Sequence, residues 1–172
     1  MKYLAKELYK FIFQFGLSLL DFFPDSFLGN RLRGAFVSIF VNGHGKRLQV
    51  CKKVHILYPH KLRVGNDVFI GYGNWLNAMG GIEFDDQVIT GPHVKISTGD
   101  HIIQSGSFRF GDHNAGPVRV GFGAWLAAGV IVMKNVSIGR SALVAAGAVV
   151  TRNLDAYGKY GGIPAQLLGK KS

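Results

Sequence analysis

The sequence is short of cysteine and of acidic residues. It has one cysteine, Cys51, and 10 Asp and Glu against 20 Lys and Arg, for a formal net charge of +10. A single cysteine excludes an internal disulfide, and no nucleophile motif surrounds it. The excess of positive charge favours anionic partners. No nucleic-acid-binding motif accompanies the charge, so no nucleic acid is expected among the partners.

Long apolar runs are also missing. No stretch reaches the roughly 18 uninterrupted apolar residues of a membrane-spanning helix. The N-terminus carries Lys2, Lys6, Glu7 and Lys10 among apolar residues and lacks the small-residue cleavage site of a secretory signal. These features predict a cytoplasmic protein. The length of 172 residues and the hydrophobic fraction of 48% suit one folded domain with its own core.

The first forty residues differ from the rest. Leucine and phenylalanine recur at helical spacing and predict a helix to about Asp21, ended by Pro24, with a second short helix over 31–37. Two interpretations stay open for this phenylalanine-rich segment. It packs on its own domain or on a neighbouring subunit, or it lies as an interfacial helix on the inner membrane surface.

From Val64 onward the sequence has a period of six. Neither a helix nor a single strand gives this spacing, which is typical of a β-solenoid in which a short strand and a corner repeat. The 24 glycines suit many tight corners. Two runs of aliphatic residues carry the period: Val64, Ile70, Leu76, Ile82, Val88 and Val94, then Val120, Leu126, Val132, Ile138, Val144 and Val150.

Three irregularities interrupt the period. Gly91 after Thr90 predicts a slip of two residues within 78–81, which brings Phe84, Thr90 and Ile96 into register. Residues 41–63 are expected to form an imperfect first coil, with Val41, Leu48 and Val54 facing inward. The polar stretch 101–117 breaks the repeats and predicts a loop, where function is commonly placed.

The repeats, the loop after Thr98-Gly99-Asp100-His101 and the ending Gly161-Gly162-Ile163-Pro164-Ala165 together resemble the hexapeptide-repeat acyltransferases, most of all the small sugar and polysaccharide O-acetyltransferases. The resemblance covers roughly residues 60–170. It implies an all-β solenoid, a left-handed parallel β-helix. With it come a helical segment over 1–40, an acetyltransferase domain over 41–160 and a tail over 161–172 near the cofactor.

The resemblance also implies an activity and an assembly. We expect a homotrimer that uses acetyl-CoA as acetyl donor, requires no metal, and acts on a sugar, sugar-nucleotide or lipid-linked saccharide in bacterial surface polysaccharide synthesis. His101 matches the histidine that deprotonates the acceptor hydroxyl. A neutral imidazole near pH 7 suits that task, because a sugar hydroxyl is a weak nucleophile.

Further site residues follow from matching positions. Asn74, Asn77, Asp100 and His113 are candidates for binding the acceptor. Small residues at a corner let a pantetheine arm lie against the backbone, and basic residues suit the cofactor phosphates. The candidates for binding acetyl-CoA are Trp125, Ala128, Ala146, Thr151, Arg152 and Lys170.

Three alternatives remain. The fold also carries N-acetyltransferases of amino sugars or antibiotics, and the loop does not separate an amine from a hydroxyl acceptor. A metal enzyme of the γ-carbonic anhydrase type would use His55 and His60, but Pro59 lies between them and no third histidine precedes the pair in the expected place. A non-catalytic scaffold leaves His101 and the tail unexplained.

Overall fold

Two helices precede the strands in the computed structural model, which describes the backbone of residues 2–170 and the side chains of residues 7–169. They are α1 (Lys2–Leu20) and α2 (Phe27–Ser38). The helix predicted to about Asp21 is confirmed. The second helix begins four residues earlier than predicted, because the hydroxyl of Ser26 caps it by accepting a hydrogen bond from the Gly29 N–H at 3.1 Å.

The remaining chain forms a β-solenoid of about six turns, as predicted. Its strands in chain order are β1 (Gln49–Val50), β2 (His55–Leu57), β3 (Leu62–Val64), β4 (Phe69–Ile70), β5 (Trp75–Asn77), β6 (Ile82–Phe84), β7 (Ile89–Thr90), β8 (Lys95–Ser97), β9 (Gly99–His101), β10 (His113–Ala115), β11 (Val118–Val120), β12 (Trp125–Leu126), β13 (Ile131–Val132), β14 (Val136–Ile138), β15 (Leu143–Val144), β16 (Val149–Val150), β17 (Gly158–Gly161) and β18 (Gln166–Lys170). A 3₁₀ turn spans Pro59–Lys61.

Three parallel sheets form the faces of the solenoid. Face 1 has the order β1-β4-β7-β12-β15-β17, with β18 added antiparallel to β17. Face 2 has the order β2-β5-β8-β13-β16, and face 3 the order β3-β6-β11-β14. The chain runs from face 1 to face 2 to face 3 in every coil, so each coil hydrogen-bonds to the one before and the one after.

The coils differ in length. Val64 pairs with Phe84, and Leu76 pairs with Ile96, so the early coils contain 20 residues. Val118 pairs with Val136, so the later coils contain 18. The two extra residues lie at the corner between faces 2 and 3, where the sequence predicted a slip of two. That prediction is confirmed.

The core is the inside of the solenoid. All twelve aliphatic residues of the six-residue period are buried there, and so are Phe84, Thr90 and Ile96 of the slipped register. In the first coil Leu48 and Val54 are buried, while Val41 packs against the core from a partly buried position. The inward register was therefore predictable along the whole solenoid.

The corners between faces 1 and 2 repeat one backbone feature. Each coil has a residue with φ between 58° and 70° at the same place, and these are Lys53, Gly73, His93, Gly129 and Gly147. Glycine adopts this left-handed conformation without the strain that a Cβ imposes. The last two coils have Gly129 and Gly147 at this position, so no side chain projects from the outer edge of the corner there.

The two helices cover the first coil. Phe13, Leu17 and Val37 are buried against the solenoid core. A Cβ at Gly34 would lie 2.1 Å from the carbonyl oxygen of Leu48, so α2 rests directly on the backbone that precedes β1. No helix within residues 2–170 is long and apolar enough to cross a membrane.

Candidate active site

A β-hairpin projects from the corner between faces 2 and 3. Its strands β9 and β10 are antiparallel, with His101 opposite His113 and Asp100 opposite Asn114. The hairpin leaves the coil after Thr98 and returns at Gly116, whose N–H donates to the Thr98 carbonyl oxygen at 2.9 Å. The loop predicted over 101–117 is thus an ordered hairpin that begins two residues earlier.

His101 lies on the first strand of this hairpin, and its side chain is exposed. Its ring contacts the ring of His113, with centroids 4.6 Å apart and planes tilted by 56°. His113 is exposed as well. The structure therefore brings the predicted base and one predicted acceptor residue together at the base of the projecting hairpin.

Asp100 holds the hairpin to the next coil. Its carboxylate accepts a hydrogen bond from Lys134 Nζ at 3.0 Å, and the Lys134 side chain is only 17% exposed. The sequence analysis missed Lys134. The sequence contains a sign of this contact. Lys134 follows strand β13 and the hairpin follows strand β8, and because these two strands pair, both lie at the same edge of face 2. The ion pair fixes the backbone next to His101.

Asn77 and Asn74 lie in different environments. Asn77 ends β5, pairs in register with Ser97 of β8, and accepts a hydrogen bond from the Met79 N–H at 3.2 Å. It is half-buried on face 2, beside the start of the hairpin. Asn74, predicted to contact the acceptor, lies instead inside the coil, fully buried. Its amide nitrogen donates to the carbonyl oxygens of Gly71 and Gly91 at 2.9 and 2.8 Å.

The reason for the position of Asn74 is its register. The His55 N–H donates to the Asn74 carbonyl oxygen, and the Trp75 N–H donates to that of Val94. Asn74 is therefore stacked between Val54 and Val94, both of which face inward. The spacing of 20 residues between these three positions was visible in the sequence.

Ala128 and Ala146 lie on successive coils at the corner between faces 1 and 2. Both are exposed, and the Gly147 N–H donates to the Ala128 carbonyl oxygen at 2.9 Å. Trp125 begins β12 on face 1 with 47% of its side chain exposed, so it does not belong to the core. Together they form a narrow apolar edge with an aromatic ring beside it.

Thr151 and Arg152 lie at the other edge of face 2. Both are exposed, and the Arg152 guanidinium donates to the side-chain oxygen of Gln166. Lys170 is the last residue of β18, and its side chain lies outside the described residues. The cofactor candidates thus flank face 2 at both corners rather than forming one cluster.

The C-terminal tail connects the two edges. The Val149 N–H donates to the Gly162 carbonyl oxygen at 3.1 Å, and the Ala165 N–H donates to the Val149 carbonyl oxygen at 2.8 Å. Residues 162–165 therefore cross the end of face 2 beyond β16. The hairpin with His101 follows β8, which is two strands before β16 on the same face. Face 2 separates the hairpin from the tail.

Cys51 lies at the opposite end of the solenoid. It is buried, and burial together with the negative charge of Asp25 raises the pKa of its thiol to about 11. At neutral pH it is a thiol and a poor nucleophile. Within residues 2–170, no three His, Cys, Asp or Glu side chains are grouped as a metal site would require.

The chain is similar to known proteins in sequence and in fold. No protein-family profile matches the chain. The putative colanic acid biosynthesis acetyltransferase WcaF of Escherichia coli (strain K12) is 29% identical over 138 residues, which are 80% of this chain and 74% of the relative.

Two solved structures share the fold. A maltose O-acetyltransferase from Clostridium difficile 630 superposes with a TM-score of 0.86 at 24% identity, covering 100% of this chain and 90% of that one. A hexapeptide-repeat acetyltransferase from Vibrio cholerae O1 biovar eltor, complexed with acetyl coenzyme A, superposes with a TM-score of 0.81 at 22% identity, covering 96% and 88%.

Proposed function

We propose that the chain is an acetyltransferase of the hexapeptide-repeat family and that it transfers the acetyl group of acetyl-CoA to a sugar hydroxyl in the synthesis of a bacterial surface polysaccharide. The observation that carries this proposal is the exposed imidazole of His101 on an ordered hairpin beside face 2. The relative assigned to colanic acid biosynthesis supports a saccharide acceptor.

His101 is the general base of the proposed reaction. Its neutral imidazole takes the proton of the acceptor hydroxyl as the oxygen attacks the thioester carbonyl carbon. The carbon–sulfur bond breaks, and the imidazolium returns the proton to the departing thiolate, so charge and protons balance. The transfer is direct and needs no acyl-enzyme. The raised pKa of Cys51 and its place at the far end of the solenoid agree with this.

The acceptor lies beside the hairpin in this proposal. Asp100 holds the backbone next to His101 through its ion pair with Lys134. His113 contacts the imidazole ring, and Asn77 lies in register with Ser97, four residues before His101. Asn74 has no part in acceptor binding here, because its side chain is fully buried inside the coil.

Acetyl-CoA is placed along the edge formed by Ala128 and Ala146. Small exposed residues on successive coils let the pantetheine arm approach the backbone closely. Trp125 walls this edge, while Thr151, Arg152 and Lys170 at the tail offer a hydroxyl and two cations for the phosphates. The proposal rests on the described residues, which present a narrow apolar edge at one corner of face 2 and an exposed arginine, Arg152, at the other.

We further propose a homotrimer in which the site is shared between subunits. In a single chain the hairpin exposes four large apolar side chains, more than one short loop normally leaves in water. A neighbouring subunit would cover them and complete the donor groove. They are Ile102, Ile103, Phe108 and Phe110, exposed by 47%, 56%, 59% and 82%.

Thiol release from acetyl-CoA tests the activity. The purified chain is assayed with free sugars, sugar nucleotides and lipid-linked saccharides, and with an amino sugar as the amine-acceptor arm. We expect His101→Ala to lower turnover by roughly 10²–10⁴-fold, the usual contribution of a general base. The matched control is His44→Ala, an exposed histidine near the first coil, which should keep full turnover.

Two outcomes would contradict the proposal. Near-normal turnover by a folded His101→Ala variant would place the base elsewhere, and acetylation confined to the amine would make the enzyme an N-acetyltransferase. Light scattering tests the assembly, with an expected mass about three times the 18.7 kDa of the chain. A monomer that turns over acetyl-CoA would refute the shared groove.

A further inference from the structure

The helical segment directs much of its apolar surface away from the solenoid. On α1 the exposed apolar residues recur at helical spacing, and on α2 a second stripe does the same. Among the described side chains of these helices, from residue 7 onward, the core contains only Phe13, Leu17 and Val37. The exposed set is Leu8, Phe11, Ile12, Phe15, Leu19, Phe22, Phe23, Phe27, Leu28, Leu32 and Ile39, with exposures from 39% to 86%.

The greatest exposure is at the turn between the helices. Phe22 is 86% exposed, Phe27 75% and Leu28 68%. We call residues 21–28 the helix turn. Soluble monomers seldom leave so many large apolar side chains together in water, and such patches mark sites that meet another surface.

A buried arginine holds the helix turn in place. Arg33 is 0% exposed, and its guanidinium donates to the carbonyl oxygens of Leu20, Phe23 and Val50 at 3.1, 3.0 and 2.8 Å. It also donates to the side-chain oxygens of Asp25 and Asn30, both at 2.7 Å. The phenylalanines of the turn are therefore presented by a fixed backbone and do not fold back onto the core.

Positive charge lies beside the same turn. The Lys52 N–H donates to Asp25 at 2.8 Å, and the Lys53 N–H donates to Asp21 at 3.0 Å. These bonds bring the two lysines against the turn and direct both of its carboxylates toward the solenoid. The exposed phenylalanines of the turn and the lysines of the coil segment bonded to it, of which Lys53 is exposed, provide the combination that an anionic lipid surface recognises.

We infer that the helix turn and the outward stripes of α1 and α2 dock on an anionic membrane surface. The phenylalanines enter the boundary between headgroups and acyl chains, and Lys52 and Lys53 pair with acidic headgroups. The inference stands on the helical segment and the first coil and is independent of the acetyl-transfer chemistry. It places the N-terminal end of the solenoid at the membrane.

Vesicle sedimentation of the full chain tests this inference. The probes are vesicles of phosphatidylcholine with about one third phosphatidylglycerol, and vesicles of phosphatidylcholine alone, at low salt. We expect binding to the anionic vesicles. Phe22→Gln combined with Phe27→Gln should weaken it by at least about tenfold, the worth of one buried aromatic side chain. Lys53→Gln should weaken it about fivefold, as one headgroup contact would.

Matched controls separate the turn from other exposed surfaces. Tyr157→Gln removes an aromatic side chain that is 49% exposed from the last coil, and Lys159→Gln removes one exposed charge from β17. Neither should change sedimentation. Equal loss in the controls, or a full chain that does not bind anionic vesicles, overturns the inference.

If the Phe22 and Phe27 variant instead changes the mass in light scattering without any vesicle binding, the turn is a contact between subunits. Thiol release on a water-soluble acceptor, measured in parallel, reports on catalysis separately.

Discussion

Replacing Arg33 by methionine removes the guanidinium but keeps much of its volume. Two of the five acceptors it would leave unpaired, the Val50 carbonyl and the Asn30 side chain, belong to buried residues. An unpaired buried acceptor costs about 1–3 kcal/mol. The pair with Asp25 adds little, because the Asp25 side chain is 35% exposed and screened by water. We expect Arg33→Met to lower the free energy of unfolding by about 2–6 kcal/mol, the cost of leaving two buried acceptors unpaired.

Urea unfolding followed by circular dichroism measures this loss. The control is Arg63→Met, whose side chain is 65% exposed and lies 4.0 Å from Glu83. It should change the free energy of unfolding by less than about 0.5 kcal/mol. A loss below about 1 kcal/mol for Arg33→Met would refute the reasoning. It would mean that water already reaches these carbonyls and that the helix turn is not fixed.

Three further predictions concern the site and the thiol. Gly80→Ala should lower turnover, because the added Cβ would lie 2.6 Å from the backbone of Gly116, where the hairpin that carries His101 rejoins the coil. Unchanged kinetics would show that the hairpin tolerates a displacement of Gly116. Arg152→Gln should raise KM for acetyl-CoA about tenfold, as loss of a hydrogen bond from a charged group does, with kcat kept and with Lys159→Gln as a neutral control. The free energy of unfolding should fall as pH rises from about 9 to about 11, because Cys51 keeps its proton in the folded state while the unfolded chain loses it. In Cys51→Ala, urea unfolding should show a smaller fall over that interval.

The inward half of the fold could be predicted because one physical rule governs it. Every sixth residue must be aliphatic or small to stack inside a coil, and all twelve predicted positions are buried. The two-residue slip was predictable from Thr90 and Gly91. The start of α2 was harder to predict, since it depends on the cap at Ser26, which lies five residues before the predicted start of that helix.

The site was harder to predict because it combines outward residues from different coils. Asn74 was predicted to contact the acceptor because its position matches that of such residues in the resembling family, although its spacing from Val54 and Val94 puts it inside. Lys134 was missed because its partner, Asp100, is 34 residues away in sequence and adjacent only after a full coil. No sequence motif indicates the role of Arg33, since its five hydrogen-bond acceptors come from both helices, the turn and β1. Such contacts depend on tertiary placement, which the six-residue period does not encode.

The stacking of coils also sets a length scale along the axis. Paired strands lie about 4.8 Å apart, so the two steps from β8 to β16 span about 10 Å along the axis, and the tail crosses face 2 one step further on. Point substitutions cannot alter that separation, because every intermediate coil is hydrogen-bonded to both neighbours. Insertion or deletion of a whole coil would change it by one step while leaving both ends intact. Under the proposed function, an acyl donor of a different length would require a solenoid with one coil more or one coil fewer between the hairpin and the tail.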